Sequence, residues 1–325
     1  MAVYTDISDA ELEAFLGQYD IGAPAAFKGI AEGVSNSNWL LETDRGRFIL
    51  TIFEHRAEEA DLPFFLDLMR WLHDRGFPCA TPMAARDGQS LKRLCGKPAA
   101  IVTFVSGISV RRPSAQHCRE AGEGMARLHL AAQGFSGSRA NALGEPHWRG
   151  MFAGLEAAAE ALKPGLAAVI ERDLAELDAR WPRDLPTGVI HADFFPDNVF
   201  FQGPKFAAAI DFYFACIDAL AYDIAVGLNA WCFEPDGSFN VTQARAFVAG
   251  YETRRALSRD ERGALAVLAW GAAMRFFLTR LHDWNAPQAA GAMVVRKDPL
   301  EYERKLAVHR AACCGGHGML LEPGV

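Results

Sequence analysis

A chain of 325 residues, half of them hydrophobic, exceeds what one core usually supports and has material for two lobes. A net charge of −7 and a pI near 5.7 leave no electrostatic footprint for nucleic acid or an anionic membrane surface. No run of eighteen apolar residues reads as a bilayer span, the N-terminus lacks signal-peptide character, and seven scattered cysteines without a C-x-x-C fit reduced thiols in the cytoplasm.

Ser8-Asp9-Ala10-Glu11 is a capping-box pattern and predicts a helix to about Tyr19. Phe27 to Gly33 reads as a strand, and the small or polar residues Gly33, Ser35, Asn36 and Ser37 lead into a second, Asn38 to Thr43. Asp44-Arg45-Gly46 turns the chain into a third strand, Arg47 to Phe53. A strand, a Gly/Ser turn and another strand can lay backbone N–H groups over phosphates; an ordinary hairpin turn is the plain alternative. Two other phosphate motifs fail. Gly96-Lys97 lacks the earlier glycine of G-x-x-x-x-G-K-[ST] and runs into Pro98, and no G-x-G-x-x-G follows a strand.

A helix is expected from about Arg56 to Arg75, with Leu62, Phe65, Leu66, Met69 and Leu72 on one face. Glu58 and Glu59 near its start suit either the helix dipole or a metal-side or substrate role. Ala99 to Val105 reads as the last strand of a small sheet, passing into a hinge at Ser106-Gly107. Backbone groups of Thr103, Phe104 and Val105 there either meet an adenine edge or belong to a buried strand. After Arg111-Arg112-Pro113 the chain turns helical: Ser114–Ala132, Trp148–Leu162, Pro164–Arg180, Leu220–Cys232, Phe239–Tyr251, Arg262–Trp284 and a short last helix near Pro299.

The helices are interrupted by Val189 to Asp211, which carries His191, Asp193, Asn198 and Asp211 among apolar residues. Two β-prone runs flank Gly203-Pro204, so the stretch from Asn198 to Asp211 is a predicted hairpin that returns Asp211 to Asn198. That suits phosphoryl transfer. Asn198 and Asp211 offer oxygens to Mg²⁺, and Asp193 can orient an acceptor hydroxyl and take its proton. His191 reads as a packed support and Asp223 as a side chain that hydrogen-bonds the loop. For an acceptor carboxylate, Arg275 is a better candidate than Arg280, although an ion pair with a buried Asp would explain it equally. Tyr213, Trp231 and Asp218 are candidate pocket residues or plain core.

The order H-x-D-x-x-x-x-N followed by a strand ending in Asp resembles the catalytic loop and metal Asp of protein kinases. Ala192 after the His, and Phe212-Tyr213 after the Asp, point instead to the aminoglycoside phosphotransferase and choline kinase superfamily. The runs Leu50–Glu54, Leu228–Glu234, Met274–Trp284 and Lys297–Tyr302 look like the type II homoserine kinases of that superfamily. This resemblance implies an α+β, bilobal protein-kinase-like fold. A small β-rich lobe, 1–107, would cover the nucleotide, and a larger, mainly helical lobe, 108–325, would carry the catalytic loop and acceptor site. It implies ATP and Mg²⁺ as nucleotide and metal, and transfer of the γ-phosphate to homoserine in threonine biosynthesis. One departure stands out: Thr51 occupies the strand position where kinases place a phosphate-binding Lys, a threonine that looks usual for this branch. Lys28, Arg47 or Arg56 could supply the charge. The remaining readings are a kinase for choline, methylthioribose or an aminoglycoside, and a non-catalytic nucleotide-binding protein.

Overall fold

The computed structural model describes residues 5–30, 36–54, 58–286 and 296–314, and these fall into two compact units. Of the described residues, the first unit takes those up to 106 together with 135–137, and the second takes the others. An antiparallel sheet in the N-terminal region followed by mainly helical chain gives the α+β class expected from the sequence. Gly33, Ser35 and Arg56 lie outside the described residues.

In the first unit α1 (Asp9–Leu16) starts on the predicted box: the Ser8 side chain accepts the Glu11 N–H, and Glu11 takes the Ser8 N–H at 3.0 Å. Strands β1 (Pro24–Ile30), β2 (Asn36–Thr43), β3 (Gly46–Phe53), β4 (Lys92–Leu94) and β5 (Lys97–Thr103) pair in the order β1-β2-β3-β5-β4. Alternation along the strands sends Leu41, Leu50, Ile52 and Ile101 to one face, where they pack with Phe15, Leu16 and Tyr19. Asn38 and Thr51, opposed across β2 and β3, share the other face. Helix α2 (Leu62–Asp74) begins later than its apolar periodicity suggested. Pro63 gives no N–H and clashes in a helix interior, so it fits only the first turn; Glu59–Asp61 form a 3₁₀ turn ahead of it.

The second unit contains α3 (Ala115–Ala131), α4 (Trp148–Phe152), α5 (Glu156–Leu162), α6 (Leu166–Arg180) and the strands β6 (Thr187–Ile190), β7 (Val199–Gln202), β8 (Lys205–Ala209) and β9 (Cys216–Ala219). Helices α7 (Leu220–Trp231), α8 (Val241–Glu252), α9 (Arg259–Asn285) and α10 (Pro299–Cys314) complete it. The single helix expected over Trp148–Leu162 is two, because Gly154 adopts φ 87°, a left-handed conformation that ends α4. The last helix is sixteen residues rather than a short turn. Helix α9 is long and apolar enough to cross a bilayer, yet 72% of its apolar window is buried in the protein. Its Trp270, Phe277, Leu278 and Leu281 share a core with Trp148, Leu174 and Tyr302.

Helices α3 and α8 meet backbone to backbone through a glycine on each. A Cβ on Gly250 would lie 1.9 Å from the Arg119 carbonyl oxygen, and one on Gly122 would lie 2.0 Å from that of Phe247. Gly250→Ala should therefore destabilise the fold by about 1–3 kcal/mol through overpacking. That outweighs the gain of about 1 kcal/mol that alanine brings to a free helix. A denaturation midpoint equal to or above wild type would contradict this close crossing.

Candidate active site

The hairpin forms where Gly203-Pro204 predicts it. β7 and β8 pair with Val199 opposite Ala209, and the Ile210 N–H donates to the Asn198 carbonyl at 2.9 Å, so the chain brings Asp211 back beside Asn198. Asn198 is tied in turn to Asp193: its amide nitrogen donates to the Asp193 carbonyl at 2.9 Å and to the carboxylate at 3.0 Å. With the nitrogen so engaged, the amide oxygen is the atom left for a cation. The loop is held in a strained shape, since Ala192 (φ 60°) and Asp211 (φ 62°) are non-glycine residues in the left-handed region.

Asp223, fully buried at the start of α7, holds that strain. Its carboxylate accepts the backbone N–H groups of His191 at 2.9 Å and Ala192 at 2.8 Å, and it bonds His129 Nε2 at 3.0 Å. Burial alone would raise its carboxyl, but the bond to His129 and the backbone N–H of His191 more than offset it, leaving it below the ordinary range. His129 continues to the Tyr251 hydroxyl at 2.7 Å. His191 is also fully buried, and burial keeps its pKa low despite nearby Asp223 and Asp193. Its Nε2 faces the Ile210 carbonyl at 3.0 Å while Nδ1 accepts the Asp193 N–H at 3.3 Å, which fixes a neutral ring with the proton on Nε2. The ring thereby joins the loop to the end of the hairpin.

Two neighbouring acids set the charge of the site. Burial raises the pKa of Asp193, with the charges of Arg275 and Lys297 and the Asn198 bond pulling the other way. Asp211 is pushed up to about 7, first by burial and then by the Asp193 charge, against the pull of the Tyr213 N–H. Water nevertheless reaches Asp211, which is exposed, so the crowding acts on a carboxylate that remains open to a ligand. Among the described residues no group of three or more His, Cys, Asp or Glu could hold a metal. Asn198 and Asp211 fit a looser site: a hard divalent cation that takes one or two protein oxygens and completes its shell with water and phosphate. The mutual repulsion of Asp193 and Asp211 is what such a cation would relieve.

Several expected ligands are committed elsewhere. Arg275, only 2% exposed, donates to the Ala192 carbonyl and lies over Phe276 at 4.3 Å; it braces the loop from behind and is not positioned as an open carboxylate fork. Trp231, 1% exposed, donates its indole N–H to the Phe194 carbonyl at 2.7 Å and lines no acceptor pocket either. Both had been candidate substrate residues. Neither could be placed from sequence, because what each touches lies far along the chain. Tyr213 is half-buried and touches the site through its backbone N–H on Asp211. Asp218 accepts from Asn141 at 2.7 Å, and Arg280 pairs with Glu301 at 2.7 Å.

In the first unit Asn36 and Ser37 open β2, both buried, and the Ser37 hydroxyl donates to Glu54 at 2.6 Å. Glu54 also takes Thr5 and Lys97. Thr51 donates its hydroxyl to Asn38 at 2.8 Å, Arg47 lies over Phe104 at 4.4 Å, and Glu59 pairs with Arg93. Of the three expected hinge residues, Thr103 donates its N–H to the Thr81 carbonyl and Phe104 to that of Arg47; the Val105 N–H has no such partner among the described residues. Lys297 was not among the residues expected near the site. It falls in the Lys297–Tyr302 run, just before the proline that starts α10, and its charge reaches Asp193.

The sequence profile of the phosphotransferase enzyme family (APH) matches residues 26–257. The homoserine kinase of Caulobacter sp. (strain K31) is 67% identical over 311 residues, covering 95% of this chain and 97% of its own length. That of Phenylobacterium zucineum (strain HLK1) is 66% identical over 312 residues, covering 96% of each. Among solved structures, an amicoumacin kinase in complex with AMP-PNP, Ca²⁺ and Ami matches with a TM-score of 0.69, covering 93% of this chain and 92% of that one. At 15% identity that likeness speaks for the fold alone. Profile and relatives both run through the loop and hairpin that carry Asp193, Asn198 and Asp211, and the chain belongs to the APH phosphotransferase enzyme family.

Proposed function

We propose that this protein transfers the γ-phosphate of ATP to the side-chain hydroxyl of L-homoserine, giving O-phospho-L-homoserine for threonine biosynthesis in the cytoplasm. Phosphoryl transfer is supported above all by Asp193, pinned by Asn198 at 3.0 Å beside the returning Asp211. The acceptor is supported by near-full-length relatives that carry the name homoserine kinase.

In this reading Asp193 takes the acceptor proton as the hydroxyl oxygen attacks the γ-phosphorus in line and the bond to the β–γ bridging oxygen breaks, ADP leaving, with no phosphoenzyme. His191 accepts its backbone N–H, and Asn198 donates to both its carbonyl and its carboxylate, so little reorganisation accompanies the step. Asn198 and Asp211 would hold Mg²⁺, and the ion would supply positive charge against the phosphate oxygens. Gly33, Ser35, Asn36 and Ser37 cover the phosphates through their backbone, and the hinge at Thr103, Phe104 and Val105 offers the Val105 N–H to the adenine edge. The Thr51 hydroxyl donates to Asn38 at the strand position where a protein kinase has its lysine, so this chain has neutral side chains there.

The test is incubation with Mg²⁺-ATP and a panel of L-homoserine, choline, methylthioribose, an aminoglycoside and simple amino alcohols, with products identified by mass spectrometry. Phosphorylated homoserine as the dominant product is expected. ATP-dependent phosphorylation of another member of the panel instead would move the protein to a different acceptor class, and ATP left intact throughout would make it a binding protein.

A further inference from the structure

An amino-acid acceptor brings a carboxylate, and a carboxylate held near a phosphoryl group needs a cation of its own. Arg275 gives one nitrogen to the Ala192 carbonyl and, at 2% exposed, is closed off inside the core. Arg280 is spent on Glu301 and the Asp298 carbonyl, and Lys305 is buried on Glu301 at 3.0 Å and the Asn229 carbonyl at 2.9 Å. Lys297 differs. It is exposed, and among the described residues its ammonium has no carboxylate partner.

Its place is well defined. The Lys297 ammonium sits 5.9 Å from the centre of the Phe195 ring, and the Phe195 N–H donates to the Asp193 carbonyl at 2.8 Å, so the cation stands over the catalytic loop two residues past the acid. The ring of Phe195 is itself braced edge-on by Phe276 of α9 at 5.0 Å. The residues on both sides of Lys297 are anchored. The Arg296 guanidinium donates to the Trp284 carbonyl at 2.6 Å; Arg280 donates to the Asp298 carbonyl at 3.1 Å, and the Asp298 carboxylate accepts the Leu300 N–H at 2.8 Å. A lysine with a fixed base and a free head, over an aromatic wall beside a transfer residue, is built to meet an anion. Lys297 also enters the site from the α9–α10 side, not from the hairpin that carries Asn198 and Asp211, which places it with the acceptor. Its charge is felt at the Asp193 carboxyl.

We propose that Lys297 binds the carboxylate of the amino-acid acceptor, with Phe195 and Phe276 as the apolar wall beside it, and so selects an amino acid over an amino alcohol lacking that group. This rests on the homoserine reading above and adds the residue that enforces it.

The experiment compares wild type, Lys297→Met and Lys297→Arg on two acceptors, L-homoserine and 3-aminopropan-1-ol, which keeps the hydroxyl and amine but has no carboxylate. Lys297→Met should raise the KM for homoserine about 10- to 100-fold, the loss expected for one charge-assisted contact. The KM for 3-aminopropan-1-ol and for ATP should move little, and Lys297→Arg should recover most of the homoserine affinity. An unchanged homoserine KM in Lys297→Met overturns the assignment while leaving the homoserine reading intact. A loss of kcat equal for both acceptors also overturns it, by placing the lysine on the transferred phosphate. A wild type that prefers 3-aminopropan-1-ol to homoserine overturns the acceptor reading and the Lys297 assignment together.

Discussion

Replacing Asp193 by alanine should lower kcat by about 10²–10⁴, the range for loss of a general base, with the KM for ATP close to wild type. The carboxylate takes no part in holding the loop's backbone. Its own N–H and carbonyl are bonded to His191 and to Asn198 and Phe195, and those bonds survive removal of the side chain. Asp193→Asn separates proton acceptance from shape, because an amide oxygen can still receive the Asn198 N–H. If both variants lose turnover alike, the proton is what matters. The wild-type rate should also fall as pH drops through the Asp193 pKa, which burial holds above the usual carboxylate value. Near-normal kcat in Asp193→Ala would remove the residue from catalysis.

Asp211→Asn should produce two opposite effects. Binding of Mg²⁺-ATP should weaken by at least about 100-fold, since a neutral amide replaces the one charged side chain offered to the metal. Calorimetry with Mg²⁺-ATP reads this directly, and an unchanged affinity would dismiss Asp211 as a ligand. The metal-free protein should at the same time become more stable at high pH. Asp211 is pushed up to about 7, so folding favours its protonated form. The wild type carries no penalty below the ordinary carboxylate value near 4, an increasing one as pH rises from there to 7, and the full one above 7. Asparagine carries none at any pH. The melting temperature of metal-free Asp211→Asn should thus match wild type near pH 4 and exceed it at pH 8. The gain is modest, because water reaches the carboxylate. A gap that shrank from pH 4 to pH 8 would mean that folding does not raise the Asp211 pKa.

These effects trace to features of very different legibility in the chain. The helix start at Ser8 and the hairpin at Gly203-Pro204 are local events, settled by residues a few positions apart, and each appears where the pattern put it. Pro63 carried a signal equally local, and weighing it above the apolar stripe would have placed the start of α2 correctly. The division of Trp148–Leu162 into two helices and the pairing of β6 with β9 were harder. A single Gly154 can sit inside a helix or end it, and Thr187–Ile190 finds its partner strand across the loop and hairpin.

The order of chemical groups belonged to the sequence: an acid, an amide five residues on, and a second acid returned by a turn that only a hairpin satisfies. Those spacings pointed to phosphoryl transfer because a short hairpin leaves Asp211 nowhere to go but back to Asn198. What the tertiary structure decided is which side chains stand behind that loop and which stand in front of it. Arg275 comes from 83 positions away to brace Ala192, and His129 from 94 away to meet Asp223, while Lys297 keeps its charge in water above Phe195. The physical reason is range. Turns and caps are closed by hydrogen bonds between near neighbours, whereas burial, and with it the choice between a brace and a ligand, depends on segments brought together only when the core packs.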